Sequence, residues 1–256
     1  MNRTLLPLLA VACFARLAPA QDASAPRPVS FLVVGDWGHA GEGAQRAVAA
    51  QMAATAKAAK ADFIISAGDL FYPDGVASVD DPQWRTSFED VYTQFALYIP
   101  WYVVLGNHEY RGNPQAIVDY ARRARRWRIP DRYYDIKVPV GGGATAEFLF
   151  IDTSPFIGEY RRDAGKYDFR GADTVRQKRW LDSTLRASTA QWRFIIGHHN
   201  VYSGGKRTVV PEMERLLVPL MRKYHVAAYF CGHEHHLEHI QPSDAGPSYF
   251  ISGAGY

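Results

Sequence analysis

Cysteine is nearly missing from this chain: its 256 residues hold only Cys13 and Cys231. A disulfide framework is therefore excluded as the source of its stability. An excess of one charge is missing too. With 29 basic and 26 acidic residues the formal net charge is +3, so bulk charge gives no argument for a nucleic-acid partner. Long apolar runs are also lacking. The stretch from Leu5 to Phe14 is too short to span a bilayer as a helix, and no later segment reaches the required length.

That apolar stretch has company that gives it a meaning. Arg3 precedes it and Ala18-Pro19-Ala20 follows it, which is the pattern of a secretory signal peptide over residues 1–20. Cleavage removes Arg3 and Arg16, leaving 27 of the 29 basic residues against 26 acidic ones, and leaves Cys231 as the single cysteine. The expectation is a secreted or periplasmic protein with no membrane segment after cleavage. Residues 21–28, with Pro26 and Pro28, read as a leader, and residues 29–256 as one domain. Its 47% hydrophobic and 21% charged residues are ordinary for a globular protein. The chain stops at Gly255-Tyr256 directly after a strand, an ending that fits a piece of a longer protein.

Five short blocks carry the chemistry. They are Gly35-Asp36-Trp37-Gly38, Gly68-Asp69-Leu70-Phe71-Tyr72, Gly106-Asn107-His108-Glu109, Gly197-His198-His199 and Gly232-His233-Glu234-His235. Each follows a short apolar run of strand-forming residues, such as Phe31-Leu32-Val33-Val34 or Phe63-Ile64-Ile65-Ser66. Glycine lets the chain turn sharply there and approach a ligand closely. Between the strands, helices are expected over 43–60, from Asp81-Pro82 to about Phe95, from Pro114 to about Arg126, and over 174–185 and 211–224. A hairpin over 138–151 turns at Gly141-Gly142-Gly143, and final strands cover 237–241 and 248–252. This alternation implies an α/β fold, a sandwich of two mixed sheets flanked by helices in four layers (α/β/β/α), with ligands beyond the carboxyl ends of the strands.

Any one block has an ordinary explanation: Asp36 as a turn residue, Tyr72 as a core aromatic, Asn107-His108 as a capped turn. Jointly they offer hard oxygen donors (Asp36, Tyr72, Asn107), imidazoles (His198, His233, His235) and, in Asp69, a carboxylate placed to bridge two cations. Such a pair clamps the attacking and leaving oxygens of a phosphoryl group. His199 and His236 adjoin these ligands, and with His39 they are candidates to face a substrate. The arginine run from Arg122 to Arg128 reads as a solvated helix face, because no second basic cluster or aromatic interleaving accompanies it. The charged segment 158–173 reads as a mobile loop.

The blocks resemble the binuclear metallophosphoesterase (calcineurin-like) superfamily, and within it the purple acid phosphatases of the tartrate-resistant type. The resemblance covers about residues 29–255. It implies that Asp36, Tyr72 and His235 hold Fe(III), that Asn107, His198 and His233 hold a second, divalent metal (Fe, Zn or Mn), and that Asp69 bridges. It makes His108 the residue that assists the leaving group. Many relatives carry a histidine at the position of Gly38; here Tyr72 replaces it, and a phenolate favours a trivalent ion. The implied activity is hydrolysis of phosphate monoesters by a metal-bound hydroxide, on small phosphate esters or phosphoproteins. A phosphodiesterase or nucleotidase is the alternative on the same ligands, and a catalytically silent binding module is a rival of another class.

Overall fold

The computed structural model describes residues 28–243 and 246–256. The expected signal peptide, 1–20, and the leader up to residue 27 lie outside the described residues. No helix among the described residues is long and apolar enough to cross a membrane.

Two sheets form the centre. The first joins β1 (Phe31–Val34), β2 (Phe63–Ser66), β3 (Trp101–Val103) and β4 (Trp127–Arg128) in that order, and every pairing in it is parallel. The second has the order β5 (Tyr134–Gly141), β6 (Ala144–Phe150), β7 (Trp192–Ile196), β8 (Ala228–Cys231), β10 (Ser248–Ser252), β9 (Leu237–Ile240). It is mixed: antiparallel at its two edges, β5–β6 and β9–β10, and parallel between. The helices are α1 (Gln45–Ala59), α2 (Pro114–Asp119), α3 (Gly158–Arg162), α4 (Thr174–Ala187) and α5 (Pro211–Lys223).

The alternation of side chains along the strands decides which face packs where. In the second sheet Phe148, Phe150, Phe194, Ile196 and Phe230 point toward the first sheet. Their neighbours Leu149, Ile195, Tyr229 and Ile251 pack against Leu181 and Leu185 of α4 and Met213, Leu217 and Met221 of α5. Between the sheets the aromatic rings meet edge to face: Phe31 lies 5.3 Å from Phe148 and 5.7 Å from Phe230, and Phe63 lies 5.4 Å from Phe148. Ala49, Ala53 and Ala56 of α1 belong to the core of the first sheet. Helix, sheet, sheet and helices thus stack as expected from the sequence.

Two expected helices are shorter than the pattern suggests, and both for the same physical reason. Residues 84–89 form a single wide turn of π-helix, and only a 3-10 turn at Phe95–Leu97 follows. Gln45 Nε2 donates to the Ser87 carbonyl (2.8 Å), the acceptor that an α-helix would offer to residue 91. Likewise α2, capped by the Asn113 side chain, gives way after Asp119 to a 3-10 turn, Tyr120–Arg122. Here Trp127 Nε1 takes the Ile117 carbonyl (3.0 Å). The arginine run is consequently no helix face throughout. Arg126 is buried, pairs with Glu89 at 2.7 Å, donates to the Tyr92 carbonyl at 2.6 Å and lies 4.2 Å over the Phe88 ring. The expected loop 158–173 carries α3, and its Tyr160 ring stacks on Tyr167 at 4.7 Å.

Phe148, 1% exposed at the meeting of the sheets, is the natural test of this packing. Phe148→Ala is expected to lower the unfolding free energy by about 3–5 kcal/mol, read from urea denaturation. A loss below about 1 kcal/mol would contradict the inter-sheet core described.

Candidate metal centre

The parallel strands of both sheets end on the same side, and each end delivers ligands. Asp36 follows β1, Asp69 and Tyr72 follow β2, and Asn107 and His108 follow β3. His198 follows β7, and His233 and His235 follow β8. All seven expected metal ligands converge. Three of them, Asp36 (φ 58°), Asp69 (φ 49°) and His233 (φ 71°), hold left-handed backbone, which costs a non-glycine residue of order 1 kcal/mol or more and marks a constrained site.

The donors form two groups that share one oxygen. In the first, Tyr72 Oη lies 3.1 Å from Asp36 Oδ1, 3.2 Å from Asp69 Oδ2 and 3.2 Å from His235 Nε2. In the second, His198 Nε2 lies 3.3 Å from Asn107 Oδ1, 3.2 Å from His233 Nδ1 and 3.2 Å from the same Asp69 Oδ2. Donors sharing one ion at ~2.1 Å, about 90° apart, stand ~3 Å from each other, so these separations suit two coordination spheres meeting at Asp69. The oxygens of the two carboxylates that face away are held by the backbone. The His108 amide donates to Asp69 Oδ1 (2.9 Å) and the His233 amide to Asp36 Oδ2 (2.9 Å). His198 Nδ1–H donates to the Ala67 carbonyl (2.9 Å), which leaves Nε2 free to ligate. Tyr256 Oη sits 3.1 Å from His235 Nδ1 and plays the same orienting part.

The electrostatics ask for cations. Burial pushes the Asp36 carboxyl up, and burial together with Asp69 and Asp36 pushes the Tyr72 phenol far above its ordinary value. Burial also opposes ionisation of Asp69, but His198 and then His108 hold it below the usual carboxylate range. His198 is itself desolvated, yet Asp69 and Asp36 raise it to about 9. The Tyr72 hydroxyl donates to both carboxylates at 3.1 and 3.2 Å, while the two buried carboxylates repel one another, and multivalent cations relieve that repulsion. The donor set and its spacing therefore fit a pair of metals.

Glu109, which the sequence shows only as the residue after His108, proves to be the brace of the site. Its buried carboxylate accepts from the amides of Asp69 (3.0 Å), Leu70 (2.8 Å), Phe71 (3.3 Å) and Gly106 (2.7 Å). It thereby ties the turn after β2 to the turn after β3. Burial and the nearby Asp69 push it up to about 8, against which the four donors favour the carboxylate. Gly38 also acquires a physical reason. A Cβ there would overlap the Leu70 carbonyl and stand 2.8 Å from Phe71 Cα, so no histidine fits at this position.

A cleft of about 740 Å³ opens over Asp69, Asn107, His108, His233 and His235. His236 lines it too, bonded to Glu238 at 3.0 Å. His199 and His39 do not line it. His199 is 1% exposed, with Nδ1 2.8 Å from Thr153 Oγ1 and its ring 4.3 Å from that of His233, so it backs a ligand. His39 lies behind Tyr72, stacked between it (4.5 Å) and Tyr256 (3.6 Å). The residues that sequence reasoning passed over are the cleft's basic side chains, Arg111, Lys166, Lys206 and Arg207. They sit in turns with no periodicity to flag them.

Glu109→Gln sets an amide NH2 against backbone N–H donors and is expected to weaken metal binding by about 10–100-fold, measured by chelator competition. Unchanged affinity in a folded variant would remove Glu109 from this role.

Known proteins resemble this chain in sequence and in fold. The profile of the calcineurin-like phosphoesterase family matches residues 29–237. Purple acid phosphatase 3 of Arabidopsis thaliana is 36% identical over 234 residues, 89% of this chain and 63% of its own length. Tartrate-resistant acid phosphatase type 5 of Homo sapiens is 33% identical over 254 residues, covering 94% of this chain and 77% of its own. Among solved structures, one titled "GAP50 the anchor in the inner membrane complex of Plasmodium" superposes with a TM-score of 0.76 at 25% identity, covering 89% of this chain and 72% of its own. The chain thus spans under two thirds of the first relative and about three quarters of the human one. By the extent of the profile match and these identities, this chain belongs to the calcineurin-like phosphoesterases, in their purple acid phosphatase group.

Proposed function

We propose that this protein is a secreted acid phosphatase hydrolysing phosphate monoesters, with Fe(III) held by Asp36, Tyr72 and His235 and a divalent metal held by Asn107, His198 and His233. The observation that carries the reading is the convergence of Tyr72 Oη on Asp36, Asp69 and His235 at 3.1–3.2 Å. A phenolate is a hard anionic donor, and it suits a trivalent ion better than a divalent one. Export rests on the N-terminal pattern of Arg3, the apolar stretch and Ala18-Pro19-Ala20.

When bound, the two cations supply Lewis-acid activation of the phosphoryl group and of water. The chain's own residues then orient and protonate. His108 Nδ1–H donates to the Pro73 carbonyl, which fixes the tautomer and turns Nε2, 3.8 Å from Asp69 Oδ2, toward the cleft. As a water oxygen bonds to phosphorus, shedding a proton to solvent, and the ester oxygen departs, His108 in its imidazolium form, which burial disfavours and Asp69 favours, passes its Nε2 proton to that oxygen. The substrate reading is small phosphate esters or phosphoproteins, because the cleft is open and polar rather than a closed apolar slot. A scaffold that is only an anchor, as the Plasmodium relative's title describes that protein, has no need of the complete ligand set or of His108.

Two measurements test the proposal. Wild-type protein is expected to show a tyrosinate-to-iron absorption in the visible that Tyr72→Phe lacks; a colourless, iron-free and fully active wild type would contradict the iron assignment. His108→Ala is expected to slow alkyl phosphates about 100-fold more than aryl phosphates, whose leaving groups need no proton. Equal losses on both would deny His108 the acid role, and faster turnover of bis-aryl than mono-aryl phosphates would make the enzyme a diesterase.

A further inference from the structure

The cleft carries more positive charge than one phosphate needs, and the charge is unevenly engaged. On the side of the His233–His235 segment, Arg207 is committed: its Nη1 donates to Glu234 at 2.8 Å, and the Lys206 amide donates to the same carboxylate at 2.9 Å. On the side of His108 the clefts are also lined by Glu159 and Asp168, but among the described residues neither pairs with Arg111 or Lys166. Arg111 donates to the Pro73 carbonyl and the Tyr167 hydroxyl, each at 3.3 Å, and its buried Nε has no partner. Lys166 forms no ion pair among the described residues, and its Nζ lies 5.7 Å from the Tyr167 ring, over which Arg111 also sits at 5.5 Å. Arg111, Lys166 and Tyr167 also wall a second cleft of about 540 Å³, which continues away from the metal ligands and is entered by Arg161. A partly buried guanidinium without a counter-charge is costly unless an anion arrives to match it.

We propose that Arg111 and Lys166, at the junction of the two clefts, form a second anion subsite that selects phosphate esters bearing another anionic group, a phosphate or a carboxylate, beyond the scissile one. The inference rests on the phosphatase reading and adds the substrate class. Arg111 Nη1 stands 3.2 Å from His108 Nδ1, so an anion held here lies close to the leaving-group side of the site. Arg111 suits a planar two-oxygen partner, and Lys166 adds a point charge on a flexible stem.

The test compares substrates within each protein. For wild type, a hexose bisphosphate is set against the corresponding monophosphate, and a phosphoserine peptide flanked by glutamates against one flanked by alanines. The subsite is expected to give at least one doubly anionic substrate a kcat/KM advantage of about 10-fold, and Lys166→Met and Arg111→Met each to remove most of it. An advantage on the bisphosphate alone identifies phosphate as the second anion; one on the acidic peptide alone identifies carboxylate. Wild-type ratios near one, or ratios unchanged in both variants, would overturn the proposal. Calorimetric binding of the two hexose phosphates reads the same ratio without turnover. A protein inert toward every ester therefore counts against the phosphatase reading, while the binding ratio still decides the subsite.

Discussion

One oxygen, Oδ2 of Asp69, stands where the two ligand groups meet, and most of the molecule serves to keep it there. It lies 3.2 Å from Tyr72 Oη on one side and 3.2 Å from His198 Nε2 on the other. Its partner oxygen is fixed by the His108 amide, and its own backbone amide by Glu109. The left-handed backbone at Asp69 is tolerated because hydrogen bonds from two further turns over-determine it. A shift of either sheet relative to the other would move Tyr72 away from His235, so the aromatic packing of Phe31, Phe63, Phe148 and Phe230 is part of the site's precision.

The candidate ligands were legible in the sequence because they sit where local rules are strongest. An apolar run ends, a glycine allows the turn, and a donor follows at the carboxyl end of a strand. Asp36, Asp69, Tyr72, Asn107, His198, His233 and His235 all follow that rule, and the structure gathers every one of them. What could not be read depends on partners distant in sequence. The π-turn at residues 84–89 exists because Gln45 reaches across to Ser87, and Arg126 is buried because Glu89 and Phe88 receive it. The sequence shows Glu109 only as the residue after His108, whereas its carboxylate braces amides some forty residues away. His199, next to a ligand, turns inward to Thr153 instead of outward, since adjacent residues at a strand end face opposite ways.

The same scaffold serves unlike purposes among its relatives, phosphatases and an anchor alike. Fold likeness therefore sets the frame and the side chains decide. In this chain they decide for a centre whose two buried carboxylates, Asp36 and Asp69, repel one another and whose His198 is already turned with its free nitrogen inward.

The central claim is that two metals share Asp69. Anomalous diffraction from crystals of the purified protein, collected on both sides of the iron edge, tests it most directly. Two peaks ~3.5–4 Å apart are expected, flanking Asp69 Oδ2, with the iron signal on the Tyr72 side. A single peak, or metal elsewhere than between these seven side chains, would contradict the account.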